Sequence, residues 1–185
     1  MNLEKTRKKI LEDVKLHVSK KGWNEDIIEF LSNKTNFNKK DLIVLLPEKN
    51  QTLIKIYLDD LNKKIQNKFI KLNLTNLRTH QKIRELIIMR LKIMLKEKKL
   101  ASKTFLYLLL PQNYKFTSKY LYKIVDEMWY LSGDNSTDFN FYSKRLILSS
   151  IYIATMTHFI NNDNIQDTIE VLDKQLKKVS KIPEI

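Results

Sequence analysis

The sequence predicts an all-α fold, and three features of its 185 residues support this prediction. Only two glycines and three prolines occur. Folds built from many short strands need turns rich in these residues, so their scarcity favours long helices. Apolar residues recur at intervals of three and four along most of the chain, which is the spacing of one helix face. A composition of 43% hydrophobic and 30% charged residues is typical of one globular domain.

Residues 1–48 are predicted to form a lobe of three helices. The first covers residues 3–21, and a short second helix follows a cap at Asn24. The third covers residues 38–46 and ends before Pro47, because a residue that precedes proline avoids the helical region. Three short helices with this spacing resemble a helix-turn-helix module.

Residues 49–185 are predicted to form a helical bundle that makes one compact unit with the first lobe. Thr79 is the predicted cap of its second helix, Ser136 or Thr137 the cap of its fifth, and Asp163 or Asn164 the cap of its last. The predicted helices cover residues 53–69, 79–95, 100–110, 118–131, 136–160 and 164–183.

The run from Leu146 to Ile160 leaves no polar helix face. Spanning a bilayer takes roughly 20 predominantly apolar residues, and this run is shorter and interrupted by hydroxyl side chains. A helix that is apolar all round is buried by its own domain, by a dimer partner or by a ligand, and these alternatives stay open. The run nevertheless offers more apolar surface than one core helix usually needs. We therefore predict a lipid-binding site formed by Leu106, Leu109, Met128, Trp129, Leu148, Ile151, Tyr152 and Met156.

No residue pattern supports catalysis, a metal or a cofactor. The chain has no cysteine, and His17, His80 and His158 lack companions at metal-ligand spacing. The sequence also has no glycine-rich phosphate loop and no nucleophile elbow. We predict no catalytic residue.

The net charge of +13 is concentrated in residues 51–100, where 13 basic and 4 acidic side chains give +9. Such a basic region suits the phosphates of lipid or nucleic acid, although a solvated lysine-rich surface explains it as well. Residues 1–50 carry only +3, and residues 38–41 of the third helix include no arginine or glutamine to read a base. Specific DNA binding is therefore not expected.

Residues 133–145 combine a tight turn, a hydroxyl cap and a first helical turn rich in polar and aromatic groups. Asp138, Tyr142 and Arg145 share one helix face, and Phe141 lies one turn before Arg145. Aromatic residues and arginine grouped at a helix start suit a protein-binding hot spot. Capping together with core packing is the alternative interpretation. We predict that Asp138, Phe141, Tyr142 and Arg145 bind a protein partner.

These residues resemble those of a known family. The run GDNSTDFNFYSKR at residues 133–145, Met128-Trp129-Tyr130 before it and Leu172-Asp173 after it closely match the signature of the Coq-nine family of ubiquinone-biosynthesis accessory proteins. The match is strong over about residues 120–182. A weaker, colinear match begins at residue 5 and includes Gly22-Trp23 and Leu45-Leu46-Pro47.

The resemblance implies a TetR-like dimeric fold and an isoprenoid lipid, a quinone precursor, held among the C-terminal helices. It implies presentation of that lipid to the demethoxyubiquinone hydroxylase through a patch matched here by Asp138, Phe141, Tyr142 and Arg145. Animal members carry tryptophan at the position of Phe141, and they have a further C-terminal amphipathic helix that touches the membrane. This chain ends shortly after Pro183, so the resemblance does not extend to membrane contact by that route.

The leading hypothesis is therefore a non-catalytic, lipid-presenting accessory protein that forms a homodimer. The start of the chain has no apolar core and no cleavage site of a secretory signal, so we expect a cytoplasmic protein, peripheral at the inner face of the membrane. The alternative hypothesis is a TetR-like transcriptional regulator whose ligand occupies the same cavity.

Overall fold

The computed structural model describes residues 3–72, 74, 76–134 and 139–179, with the backbone alone at 139, 140 and 179. Regular structure in these ranges is helical throughout, which confirms the all-α prediction. A 3₁₀ turn, Pro111–Asn113, precedes the seventh α-helix. The α-helices are α1 (Leu3–Lys21), α2 (Ile27–Lys34), α3 (Lys39–Leu45), α4 (Asn50–Ile70), α5 (Thr79–Leu95), α6 (Lys98–Leu108), α7 (Tyr114–Ser132), α8 (Phe139–Asn161) and α9 (Ile165–Val179).

The chain divides into two compact units. The first comprises Met1–Lys63 with Glu97–Phe116, and the second comprises Lys64–Lys96 with Thr117–Ile185. The predicted domain boundary between residues 48 and 49 stays a prediction. Within the described ranges, no helix is both long enough and apolar enough to cross a membrane.

The first unit is built on α1, which packs against α2 and α6. Its buried face follows the predicted three- and four-residue spacing, with Ile10, Val14 and Val18 almost fully buried. Trp23 follows this helix and is buried, and its indole N–H donates to the hydroxyl of Thr104 on α6 at 3.0 Å. A buried indole needs such an acceptor, so this bond fixes the end of α1 against α6.

Three predicted helix starts are wrong. Asp26, not Asn24, precedes the first residue of α2, and the backbone oxygen of Asn24 accepts instead from the Asn50 amide at 3.0 Å. Thr79 is the first residue of α5 rather than its cap. The seventh helix begins at Tyr114 rather than at residue 118, because the 3₁₀ turn before it leads directly into the helix. The buried side chain of Asn113 holds this turn by donating to the Tyr107 carbonyl at 2.7 Å.

The second unit buries one face of α5 against α9, and α8 packs against α9 as well. The fully buried residues at its centre include Leu86, Ile87, Leu91 and Phe159. A bidentate ion pair joins α5 to α9, since Arg84 Nε lies 2.5 Å from Asp173 Oδ1 and its Nη2 donates to Oδ2 at 2.9 Å.

Helix α8 is not buried on all sides, which corrects the simplest interpretation of its apolar run. Leu146 and Ile153 are 74% and 37% exposed, whereas Leu148, Ile151 and Phe159 are buried. The hydroxyl residues within the run do not form a polar face either, because each donates to a carbonyl of its own helix. The donors are Ser149, Ser150, Thr155 and Thr157.

Candidate functional site

The corner between α7 and α8 positions most of the residues predicted to bind a partner. Helix α7 ends at Ser132, and Gly133 then adopts a φ of +87°, a conformation that glycine reaches without strain. The N–H groups of Gly133 and Asp134 donate to carbonyls of the last turn of α7, at 3.0 and 3.1 Å. Residues 135–138 lie outside the described residues, and with them the predicted cap at Ser136 or Thr137 and the predicted partner residue Asp138.

A network of two carboxylates and two cations holds this corner together. Arg145 Nε donates to Asp126 at 2.7 Å, and its Nη1 lies 3.6 Å from Asp134. Lys144 Nζ contacts the same Asp134 at 2.9 Å. The side chains of Arg145 and Asp134 are 7% and 6% exposed. The two most buried charged groups of the network therefore carry opposite charges.

The aromatic residues of the corner lie directly on this network. The Arg145 guanidinium sits 3.3 Å from the centre of the Phe141 ring and also donates to the Phe141 carbonyl at 3.0 Å. The ring of Phe141 in turn meets the ring of Tyr142 edge-on, with centroids 5.2 Å apart. Tyr142 is 67% exposed, and Leu146, one helical turn later, is 74% exposed. We call Phe141, Tyr142 and Leu146 the corner patch.

The four predicted partner residues therefore have different positions. Tyr142 is exposed, Phe141 is half-buried and Arg145 is buried beneath them. The Arg145 guanidinium is not presented to solvent, because Asp126 and the Phe141 ring enclose it. The buried Arg145 stabilises the corner patch through its contacts with Phe141. Asp138 lies outside the described residues.

The eight predicted lipid-binding residues fall into two groups. Leu106 and Leu109 belong to the first unit and are 49% and 51% exposed. The other six belong to the second unit, where Trp129 is half-buried and Met128, Leu148, Ile151, Tyr152 and Met156 are buried. The four residues from α8 form one continuous stripe along that helix, at the spacing of a single face.

One polar residue beside this stripe was not predicted from the sequence, and one predicted lipid-binding residue has a buried polar atom. Arg90 on α5 is 3% exposed, and its guanidinium lies 5.8 Å from the centre of the Tyr152 ring. The sequence could have predicted its burial, because Arg90 stands seven residues after Ile83 and four before Met94, on the apolar face of α5. The indole nitrogen of Trp129 is also buried, and it has no hydrogen-bond partner within the described part of the chain.

The first unit has a cleft of about 300 Å³ at the start of α1 and along α4. Charged side chains dominate its lining, among them Arg7, Lys8, Lys55, Asp59 and Asp60. An isoprene chain offers no group to pair with such charges, so this cleft does not suit the predicted lipid. Across the ranges that the structure describes, no cluster of three or more histidine, cysteine, aspartate or glutamate residues could hold a metal ion.

The C-terminal helices resemble those of a known protein family. Residues 114–183, which cover α7 to α9, match the COQ9 family model. The chain is 33% identical over 101 residues to the mitochondrial ubiquinone biosynthesis protein COQ9 of Rattus norvegicus, which is 54% of this chain and 32% of that protein. It is 30% identical over 101 residues to the Bos taurus protein, with the same shares. It is 35% identical to the Homo sapiens protein over 78 residues, 42% of this chain and 24% of that one.

The chain thus matches between about a quarter and a third of the length of these relatives. The resemblance to the Coq-nine family is confirmed over its C-terminal helices, and the all-helical structure is consistent with a TetR-like fold. The weaker match predicted for the N-terminal lobe stays a prediction.

Proposed function

We propose that this chain, whose C-terminal helices match the COQ9 family model, is a non-catalytic accessory protein of ubiquinone biosynthesis. In this proposal it binds an isoprenoid quinone precursor and presents it to the demethoxyubiquinone hydroxylase, from the cytoplasmic side of the membrane. The main support is where the family match falls. Residues 114–183 include the corner patch and six of the eight predicted lipid-binding residues.

The lipid-binding part of the proposal rests on the second unit. The stripe Leu148, Ile151, Tyr152 and Met156 is buried and largely apolar, which is the kind of surrounding that an isoprenoid tail needs. The polar head of a quinone needs a hydrogen-bond donor, and the buried Nε1 of Trp129 is a donor whose partner is not supplied by the described residues. Leaving such a donor unsatisfied costs about 1–3 kcal/mol, which a ligand oxygen would recover.

The presentation part rests on the corner patch. An exposed tyrosine that is already fixed by a neighbouring ring loses little side-chain entropy on binding, which favours a hot spot. Tyr142 meets this description, because Phe141 holds its ring and Arg145 holds Phe141. We also propose a homodimer, supported by the exposure of Ile153, an apolar residue in the middle of α8.

Lipid extraction and native mass spectrometry of the purified protein test the ligand. We expect a bound isoprenoid quinone or a related long-chain lipid. The variant Trp129→Phe keeps an aromatic side chain, although a smaller one, and removes the Nε1 donor, so it should retain the fold and bind a quinone more weakly. Trp23→Phe is the matched control, because Trp23 donates within the protein to Thr104 and should affect stability rather than binding.

A protein that neither carries a lipid nor takes up an added isoprenoid quinone would contradict the ligand assignment. Equal loss of quinone binding in the Trp129 and Trp23 variants would contradict the role of the Trp129 donor. The oligomeric state follows from sedimentation equilibrium, in which a monomer at all concentrations would contradict the homodimer.

A further inference from the structure

The end of α4 exposes aliphatic side chains in a way that the core does not explain. Phe69 is 7% exposed and anchors the last turn of the helix, but the next residue, Ile70, is 68% exposed. Leu72 follows and is 48% exposed. The chain turns here, because the N–H of Leu72 donates to the Phe69 carbonyl at 3.0 Å. Two large aliphatic side chains are therefore presented to solvent at a turn whose backbone is ordered by the buried Phe69.

The charged side chains around this turn are all basic. No aspartate or glutamate occurs between residues 61 and 84. Lys68 and Lys71 are exposed on either side of Ile70, and Arg78 is exposed just before α5. Arg84, by contrast, is engaged by Asp173 and Glu85 and contributes little free charge. We call Lys68, Ile70, Lys71, Leu72 and Arg78 the basic tip.

We propose that the basic tip docks on the surface of a membrane that contains anionic phospholipid. Aliphatic side chains gain free energy by entering the boundary between headgroups and acyl chains, and lysine or arginine beside them gains from anionic headgroups. The exposed cations match this surface in sign, and Ile70 and Leu72 supply the insertion. This inference goes beyond the proposed function and does not depend on a bound quinone.

The surface of α3 resembles the basic tip in its exposed aliphatic residues but differs from it in charge. It also exposes two aliphatic residues, Ile43 at 57% and Val44 at 78%. The charge beside them is mixed, because Asp41 and Glu48 offset Lys40 and Lys49, and Lys39 lies 3.9 Å from Glu29. A negative membrane surface would repel those carboxylates, so we do not expect α3 to bind it. This pair therefore provides a matched control for the basic tip.

Vesicle sedimentation with the full chain tests the proposal. The protein is mixed with vesicles of phosphatidylcholine alone, or of phosphatidylcholine and phosphatidylglycerol at a ratio of about 3:1. We expect binding to the anionic vesicles only, weakening as salt is added. The double variant Lys68→Gln/Lys71→Gln should lower the partition coefficient about 25-fold, or about fivefold for each lysine removed.

The apolar half of the basic tip is tested by Ile70→Ser/Leu72→Ser, which should lower binding by about tenfold or more. The controls Lys39→Gln/Lys40→Gln and Ile43→Ser/Val44→Ser make the same chemical changes on exposed positions of α3. Both should bind vesicles like the unchanged protein. All four double variants alter exposed side chains, so the melting temperature should stay the same and report any misfolding.

Three results would overturn the proposal. The first is no binding to anionic vesicles, and the second is an equal loss of binding in the α3 controls. The third is a loss on removing the lysines with none on removing Ile70 and Leu72, together with tight binding to RNA or DNA. That pattern would describe a polyanion site without insertion. None of these results bears on the quinone site, which lipid extraction tests separately.

Discussion

Replacing Tyr142 with alanine separates a binding surface from a packing role. Two thirds of this side chain is exposed, at 67%, so only about a third contributes to the core. A fully buried aromatic removes about 150–250 Å² from water, and a third of this is about 50–80 Å². At about 25 cal/mol per Å² the variant loses at most about 1–2 kcal/mol of folding stability. A hot-spot tyrosine costs about 2 kcal/mol or more of affinity, which is about 30-fold in Kd.

The assay measures the affinity for the proposed partner, the demethoxyubiquinone hydroxylase, by calorimetry or by a quantitative pull-down, together with a urea titration. Tyr114→Ala is the matched control, because Tyr114 is 63% exposed but lies outside the corner patch. We expect it to bind the partner normally. Unchanged affinity in the Tyr142 variant, or an equal loss in the Tyr114 variant, would contradict partner binding by the corner patch. The residues of the α7–α8 corner would then serve capping and core packing.

Arg145 gives a companion test of how the corner patch is positioned. Removing one partner of a buried ion pair costs about 3–5 kcal/mol. Asp126 is 43% exposed and can be rehydrated, and the buried Asp134 keeps Lys144 as a partner, so we expect about 2–3 kcal/mol for Arg145→Ala. Arg145→Lys keeps the charge but cannot contact Asp126 and cover the Phe141 ring in the same way. It should recover much of the stability and little of the affinity, whereas a purely structural role would restore both together.

Three further outcomes follow from other parts of the molecule. Asp173→Asn should lower the free energy of unfolding by about 1 kcal/mol, because it weakens a bidentate but partly exposed ion pair with Arg84; urea titration with the double variant measures the coupling. Burial, and then the nearby Lys21, lower the pKa of His17 from 6.5, so the folded protein resists its protonation and loses stability as the pH falls below this value. His17→Phe should reduce that loss between pH 7.5 and 5, and an unchanged pH dependence of the urea midpoint would contradict this. DNA binding should be weak, steeply salt-dependent and equal for any duplex, whereas nanomolar preference for one operator would favour a regulator.

The sequence predicted the bounds of a helix where its apolar spacing is regular and a glycine follows it, but the caps predicted at Asn24 and Thr79 were wrong. The bounds of α1, Leu3–Lys21, are those predicted, because the apolar spacing is regular and Gly22 follows in a left-handed conformation with a φ of +80°. Asn38, predicted as the first residue of α3, is instead its cap and forms a reciprocal bond with Asp41, a pattern that needs only neighbouring residues. The start of α7 was missed, because the Asn113 side chain that holds the preceding turn also accepts a hydrogen bond from Gln51, which is 62 residues away in sequence.

For the candidate site, helix periodicity determined which residues share a face but not what covers that face. Tyr142 and Arg145 are three residues apart, and the sequence assigned them one surface role. Tertiary structure buried Arg145 and left Tyr142 exposed, because Asp126 approaches from α7 and engages the guanidinium. Arg90 shows the converse, since its place among apolar residues was visible, while its position over Tyr152 depends on α8. An all-α fold follows from spacing along one chain, but the burial of a charge depends on which distant group compensates it.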